Sequence, residues 1–196
     1  MNSNKDEPQH PAGILRKLAK MAITETRDSM DSNDSISKPR KLSAWLAMKV
    51  DDYEFFEQYG TEEQFKFHMS FEGIDTVTKI SEALANFKVV IERVESGGEL
   101  TARDVPTLEK ADKAFNFVIY AATEAANDND ENRAGIDSLI GNTIDEDDYD
   151  EALNKAINRE LQLRQKTVTQ LQEIQSGIQQ SAAALKTQCK GSRNKE

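Results

Sequence analysis

From residue 74 onward the apolar side chains recur at intervals of three and four. Ile74, Val77, Ile80, Leu84, Phe87, Ile91 and Val94 follow that rule, which lines them up on one face of a helix. Gly97 and Gly98 then stop the pattern, as glycine does at a helix C-terminus. Past a short turn, Leu108, Ala111, Phe115, Val118, Ala122 and Ala125 repeat it. Pro106 stands in the first turn, where a missing N–H does no harm. Two striped helices joined by a short turn predict an αα-hairpin.

The last element is longer. Ile157, Leu161, Arg164, Val168, Leu171, Gln175, Ile178, Ala182 and Leu185 alternate spacings of four and three. That is a heptad seam with Arg164 and Gln175 as polar members, and it predicts a helix from about Asp148 to Gln188. At 1.5 Å per residue such a helix reaches roughly 60 Å, longer than a small domain is wide. Two uses of the seam stay open. It can close the bundle as its last helix, or join copies of the chain as a coiled coil. We read it as a mixture, with the first half packed and the second half available. Ile157, Leu161, Arg164, Val168, Leu171, Gln175, Ile178 and Leu185 are then the expected partner or oligomer interface, with Arg164 and Gln175 setting register or copy number. Gly177, inside this helix, is expected to weaken it by about 1 kcal/mol relative to alanine.

Upstream, Ser43 is placed to cap a helix over Ala44–Tyr59 that carries Trp45, Leu46, Met48, Tyr53, Phe55, Phe56 and Tyr59. Gly60 ends it, and Thr61 with Gln64 fits a capping box. Phe65, Phe67, Met69 and Phe71 follow with a spacing that suits a helix or a short strand. This aromatic cluster is either core or an anchor patch for another protein. Nearer the N-terminus, Ile14, Leu15, Leu18 and Met21 form a short stripe beside Arg16, Lys17, Lys20 and Arg27. The stripe is chance periodicity in a disordered tail, a docking helix for a partner's groove, or a segment that lies on an anionic membrane or nucleic acid.

These elements predict an all-α helical bundle built on an αα-hairpin, with a long coiled-coil-like C-terminal helix and a disordered N-terminal tail. The expected divisions are a tail and linker over 1–41, a helical core with an acidic loop over 42–147, the heptad helix over 148–188, and a disordered tail over 189–196. Composition agrees: hydrophobic residues are 37% and charged residues 31%, with 9 Gly and 4 Pro, a balance that suits long helices with narrow stripes rather than a thick core or a turn-rich sandwich.

Charge changes the picture further. The net charge of −10 is uneven: residues 1–41 sum to +2, residues 42–155 to −16 and residues 156–196 to +4. The acidic body is expected to repel nucleic acid and anionic membranes, leaving only the basic ends to approach them. The same asymmetry permits acidic-to-basic contacts between copies. The N-terminus lacks the apolar core of a secretory signal, and no stretch has the roughly 18 apolar residues that span a bilayer. A cytoplasmic protein is the expectation, with export by a route that needs no cleavable signal left open.

Little chemistry is written in the side chains. Asp128, Asp130 and Asn132 begin like a calcium loop, but Arg133 stands where its glycine is needed and Leu139 where its bidentate glutamate belongs. The acids Asp145 to Glu151 suit a helix N-terminus, where they face the positive end of the dipole. His10, His68 and the single Cys189 make no zinc set, and Cys189 has no adjacent base to activate it. Phosphate-loop, dinucleotide and nucleophile-elbow motifs are absent from the sequence. No catalytic residue, metal, cofactor or small-molecule substrate is expected. The expected function is that of an assembly or adaptor protein acting through protein–protein contacts, of the kind found among phage, mobile-element or virulence accessory proteins. The layout also resembles that of exported filament and secretion-needle-tip subunits, which implies a secreted alternative. A nucleic-acid-associated factor using the basic ends is the third reading.

Overall fold

The computed structural model describes residues 10–24, 39–51, 77–127 and 149–193. Among them are five α-helices: α1 (Pro11–Ala19), α2 (Leu42–Val50), α3 (Val77–Glu95), α4 (Val105–Asn127) and α5 (Tyr149–Arg193). Two-residue strands β1 (Ala22–Ile23) and β2 (Arg40–Lys41) pair antiparallel, Ala22 opposite Lys41 and Ile23 opposite Arg40. The fold is an all-α bundle. No helix among the described residues is long and apolar enough to cross a membrane.

α3 and α4 form the expected hairpin. Ile80, Leu84, Phe87, Ile91 and Val94 are all buried, as are Leu108, Ala111, Phe115 and Val118. Phe87 meets Phe115 edge-on at a centroid distance of 5.9 Å, and Trp45 of α2 reaches the other side of Phe115 at 6.2 Å. α4 also buries Ala114, Phe117 and Ala121. Its apolar arc is wider than one stripe because it packs against both α3 and α5.

The turn between the hairpin helices is built from local polar chemistry. Gly97 adopts φ 86°, a left-handed conformation that glycine takes without a Cβ clash. Thr101 and Asp104 then form a capping box around a 3₁₀ turn (Ala102–Asp104). The Thr101 amide donates to Asp104 Oδ2 at 2.7 Å, and Arg93 of α3 donates to the other carboxylate oxygen. Burial pushes the Asp104 carboxyl upward, but the Thr101 amide and the Arg93 guanidinium outweigh it, and its pKa lies below the usual carboxylate value.

Three expectations need correction. Residues 11–24 and 39–41 are not part of a disordered amphipathic tail and linker: α1 buries Ala12, Leu15, Leu18 and Ala19 in the core and packs on α3 and α5. Ser43 is not a cap, because β2 runs straight into the helix and Leu42 opens it with Lys41 at the N-cap position. The last helix continues past Gln188 to Arg193. The apolar pattern around Leu15 and Leu18 becomes decisive only where another helix offers a matching surface, and that surface lies about 160 residues further along the chain.

Candidate interaction surface

α5 organises the molecule. α1 lies along one part of its surface and α4 along another. On the α4 side the two helices run antiparallel with a rail of polar contacts. Lys186 pairs with Glu109. Gln179 Nε2 donates to Asp112 Oδ1 at 2.8 Å, and Gln175 Nε2 donates to Asn116 Oδ1 at 2.7 Å and to the Asp112 carbonyl at 3.1 Å. Further along, Arg164 Nη1 donates to the Ala125 carbonyl at 2.9 Å, while its Nε donates to Glu160 at 3.0 Å. A cation over the last carbonyls of α4 is well placed against the negative end of that helix. Gln175 and Arg164, expected to interrupt a coiled coil, are partners of α4 instead.

On the α1 side the contact is close and partly polar. Gly177 is the seat for Leu18: a Cβ built there would lie 2.4 Å from Leu18 Cδ1. The Ser181 hydroxyl, fully buried, donates to the Gly177 carbonyl at 2.8 Å and lies 3.4 Å from the Pro11 carbonyl. Gln170 grips β1 at both polarities. Its Nε2 donates to the Ala22 carbonyl at 2.8 Å and its Oε1 accepts from the Thr24 amide at 3.2 Å. The Thr167 hydroxyl donates to the Thr24 carbonyl. At the far end, Arg16 reaches the C-terminus of α3, with its guanidinium 3.4 Å from the Val94, Gly97 and Gly98 carbonyls. This basic residue, read as surface charge, caps a helix inside the molecule.

These contacts sort the expected interface residues. Val168, Leu171, Ile178 and Leu185 are buried against α1 and α4, together with Ile174 and Ala182. Ile157 and Leu161 remain half-buried. The second half of the helix, read from the sequence as the available one, is packed against α1 and α4, and in the first half Leu153 is buried beyond the end of α4. Because Arg164 meets Ala125, two residues from the end of α4, the thirteen residues Tyr149–Leu161 project past α4 by roughly 20 Å. Of the proposed docking stripe, Leu15 and Leu18 are core, Ile14 is half-buried and Met21 packs against the core edge. That face is already occupied.

Gly177, Ser181, Thr167 and Gln170 form the seat of α1, a role that the heptad pattern does not single out. A run of small and polar positions on one side of the heptad helix was the available signal. The aromatic segment Tyr53–Phe71, His68 and the acidic cluster Asp128–Asp148 lie outside the described residues, and Cys189 falls within α5 but its side chain is not described. Among the described residues no three His, Cys, Asp or Glu side chains gather as a metal set. No known protein family, curated protein or solved structure matches the chain. Fold and surface together define the class: a helical bundle whose longest helix extends beyond its packing partner.

Proposed function

We propose that this protein is a non-enzymatic assembly or adaptor protein, and that the first half of α5 is the element through which it joins a second copy in the manner of a coiled coil. The observation that carries the reading is the overshoot of α5. Its second half is covered by α1 and α4, whereas beyond the end of α4 its first half carries Ile157 and Leu161, half-buried and four residues apart. An apolar stripe at that spacing gains from a second helix laid along it. The packed half holds the projecting half rigidly, and a rigid element loses little conformational freedom on association.

Sedimentation equilibrium of the intact chain and of an Ile157→Asp/Leu161→Asp variant tests this. The intact chain is expected to exceed the monomer mass and the variant to approach it, with the same far-ultraviolet helical signal. An intact chain that stays monomeric in concentrated solution contradicts the proposal.

A further inference from the structure

α1 is held by residues far from it in the chain. Among the described residues, the hydrogen bonds that leave 10–24 go to β2, to the end of α3 and to α5. Those to α5 reach partners 143 to 170 residues away. Leu15, Leu18 and Ile23 are buried in the core. Nine residues are too few to stay helical alone in water, so α1 is a helix only where its seat holds it. Nothing in these contacts distinguishes the α1 of the same chain from the identical α1 of another.

The seat also tolerates losing its occupant for a time. Ser181 Oγ lies 2.8 Å from the Gly177 carbonyl of its own helix and 3.4 Å from the Pro11 carbonyl. Thr167 Oγ1 has the Leu163 carbonyl at 3.1 Å besides the Thr24 carbonyl. A hydroxyl bonded four residues back stays satisfied when its outside acceptor leaves. Thr167, Gln170, Ile174, Gly177 and Ser181 follow one another at spacings of three, four, three and four, a continuous stripe along which a helix lies. The stripe is thus a groove for a helix that offers a leucine to Gly177 and backbone polar groups to Thr167 and Gln170.

We propose that this groove also receives α1 of a second copy, residues 10–24 being exchanged reciprocally between two chains. The covalent path argues for that occupant. Fourteen residues join Thr24 to Pro39, and fully extended they span roughly 45–50 Å. Ile23 and Arg40, on either side of that path, are paired neighbours. The path is far longer than the chain's own seat requires, and it is long enough to cross a neighbouring bundle whose helices are each about 10 Å across. Every contact made within one chain is remade between two, so the exchange needs no new surface and closes as a two-fold dimer. It requires only the occasional local opening of α1. It goes beyond the assembly reading above and does not rest on the first half of α5.

The test mixes two full-length variants, Leu18→Cys/Cys189→Ser and Gly177→Cys/Cys189→Ser. Leu18 Cγ stands 3.1 Å from the Cβ position at 177, so the two Cβ atoms fall at roughly the 3.5–4.5 Å that a disulfide needs. Neither variant can form the 18–177 bond within one chain. Incubated together in concentrated solution, then diluted and oxidised, they are expected to give an 18–177 disulfide dimer, read by peptide mass mapping. Its yield should rise roughly tenfold for a tenfold rise in incubation concentration while the exchanged form is the minority. Gly13→Cys/Cys189→Ser, used in place of the Leu18 variant, carries its thiol on the exposed side of α1 with nothing within 4 Å; it measures chance collision and should stay at background. A single chain with Leu18→Cys, Gly177→Cys and Cys189→Ser is expected to link internally on dilution, which shows that the seat survives the substitutions. If it does and the mixed variants give no more than the Gly13 control, the exchange is refuted. If it does not, α1 is not seated on Gly177 and the proposal falls with that packing. Adding Ile157→Asp/Leu161→Asp to both partners should leave the yield unchanged. Loss of the dimer there would mean that the thiols meet through α5, which overturns the exchange and leaves the assembly reading in place.

Discussion

Replacing Gly177 by alanine sets two effects against each other. In a helix interior, alanine is favoured over glycine by about 1 kcal/mol, so propensity alone makes the substitution stabilising. In the folded protein the new methyl would stand 2.4 Å from Leu18 Cδ1, 3.1 Å from Cγ and 3.2 Å from Cδ2. A terminal methyl alone could swing aside, but Cγ is fixed by the position of α1, and Leu18 is only 3% exposed. Overpacking of this kind costs about 1–3 kcal/mol. The expected net effect is a loss of about 0–2 kcal/mol, opposite in sign to propensity. Leu18→Ala removes the obstructing side chain and itself costs about 2–5 kcal/mol. In that background the methyl at 177 has room, and Gly177→Ala should stabilise by about 1 kcal/mol. The coupling between the two sites is then about 1–3 kcal/mol, within the range contacting residues show. Urea unfolding followed by circular dichroism and by the fluorescence of Trp45, the single tryptophan, measures all four corners of the cycle. If Gly177→Ala stabilises by the same amount in both backgrounds, α1 does not sit on α5 and the packing described here is wrong.

Other substitutions probe the remaining contacts. Ser81 is buried on α3 and its hydroxyl has no hydrogen-bond partner; Ser81→Ala should be neutral or raise stability by about 1 kcal/mol, since an unsatisfied buried hydroxyl is unfavourable, and a clear loss in thermal unfolding would mean the hydroxyl is satisfied. Arg164→Met leaves the Ala125 carbonyl without its charged donor and should cost about 1.5–3 kcal/mol without altering the sedimenting mass, whereas a change in mass would return Arg164 to the role of setting copy number. Asp104→Asn should cost about 1 kcal/mol at neutral pH through the weakened cap. Because the folded pKa of Asp104 is depressed, its contribution is present above the unfolded value of about 3.9 and is lost as pH falls through the lower folded value. The stability difference between Asp104→Asn and the parent should therefore shrink on acidification, and a constant difference down to the acid limb would contradict the assignment.

Much of this fold could be read from periodicity. Ile80 to Val94 and Leu108 to Val118 fall in the core where their spacing put them, and Gly97 stops α3 as a glycine in that place should. The heptad helix was also legible as a helix. Its use was not. Periodicity says that a face will be covered but not by which element, and so it could not tell that α1 and α4 cover the second half of α5 and leave the first half to project. α1 illustrates the limit. Nine residues hold too short a stripe to separate from chance, and the complementary seat depends on Gly177 and Ser181, far away in the chain; taken locally, Gly177 is only a weak point of the helix. Arg16 is legible only as positive charge beside the stripe, and Arg164 only as a polar member of the seam, for the same reason. Each satisfies backbone carbonyls at the end of another helix, and those carbonyls have no signature in the side-chain pattern. Summed charge was legible too: the described residues within 42–155 carry −3, while those of 10–41 carry +5 and those of 156–193 carry +4, as the uneven distribution along the sequence predicts.

Hydrogen exchange along α5, read by mass spectrometry in dilute and in concentrated solution, tests most directly the claim that one half of this helix is packed within the chain and the other half awaits a second copy. The expected result is strong protection of residues 167–185 at every concentration, matched by residues 11–19, with residues 151–163 becoming protected only as concentration rises. Protection of 151–163 that is already complete on dilution, or protection of 167–185 that disappears with it, would contradict the account.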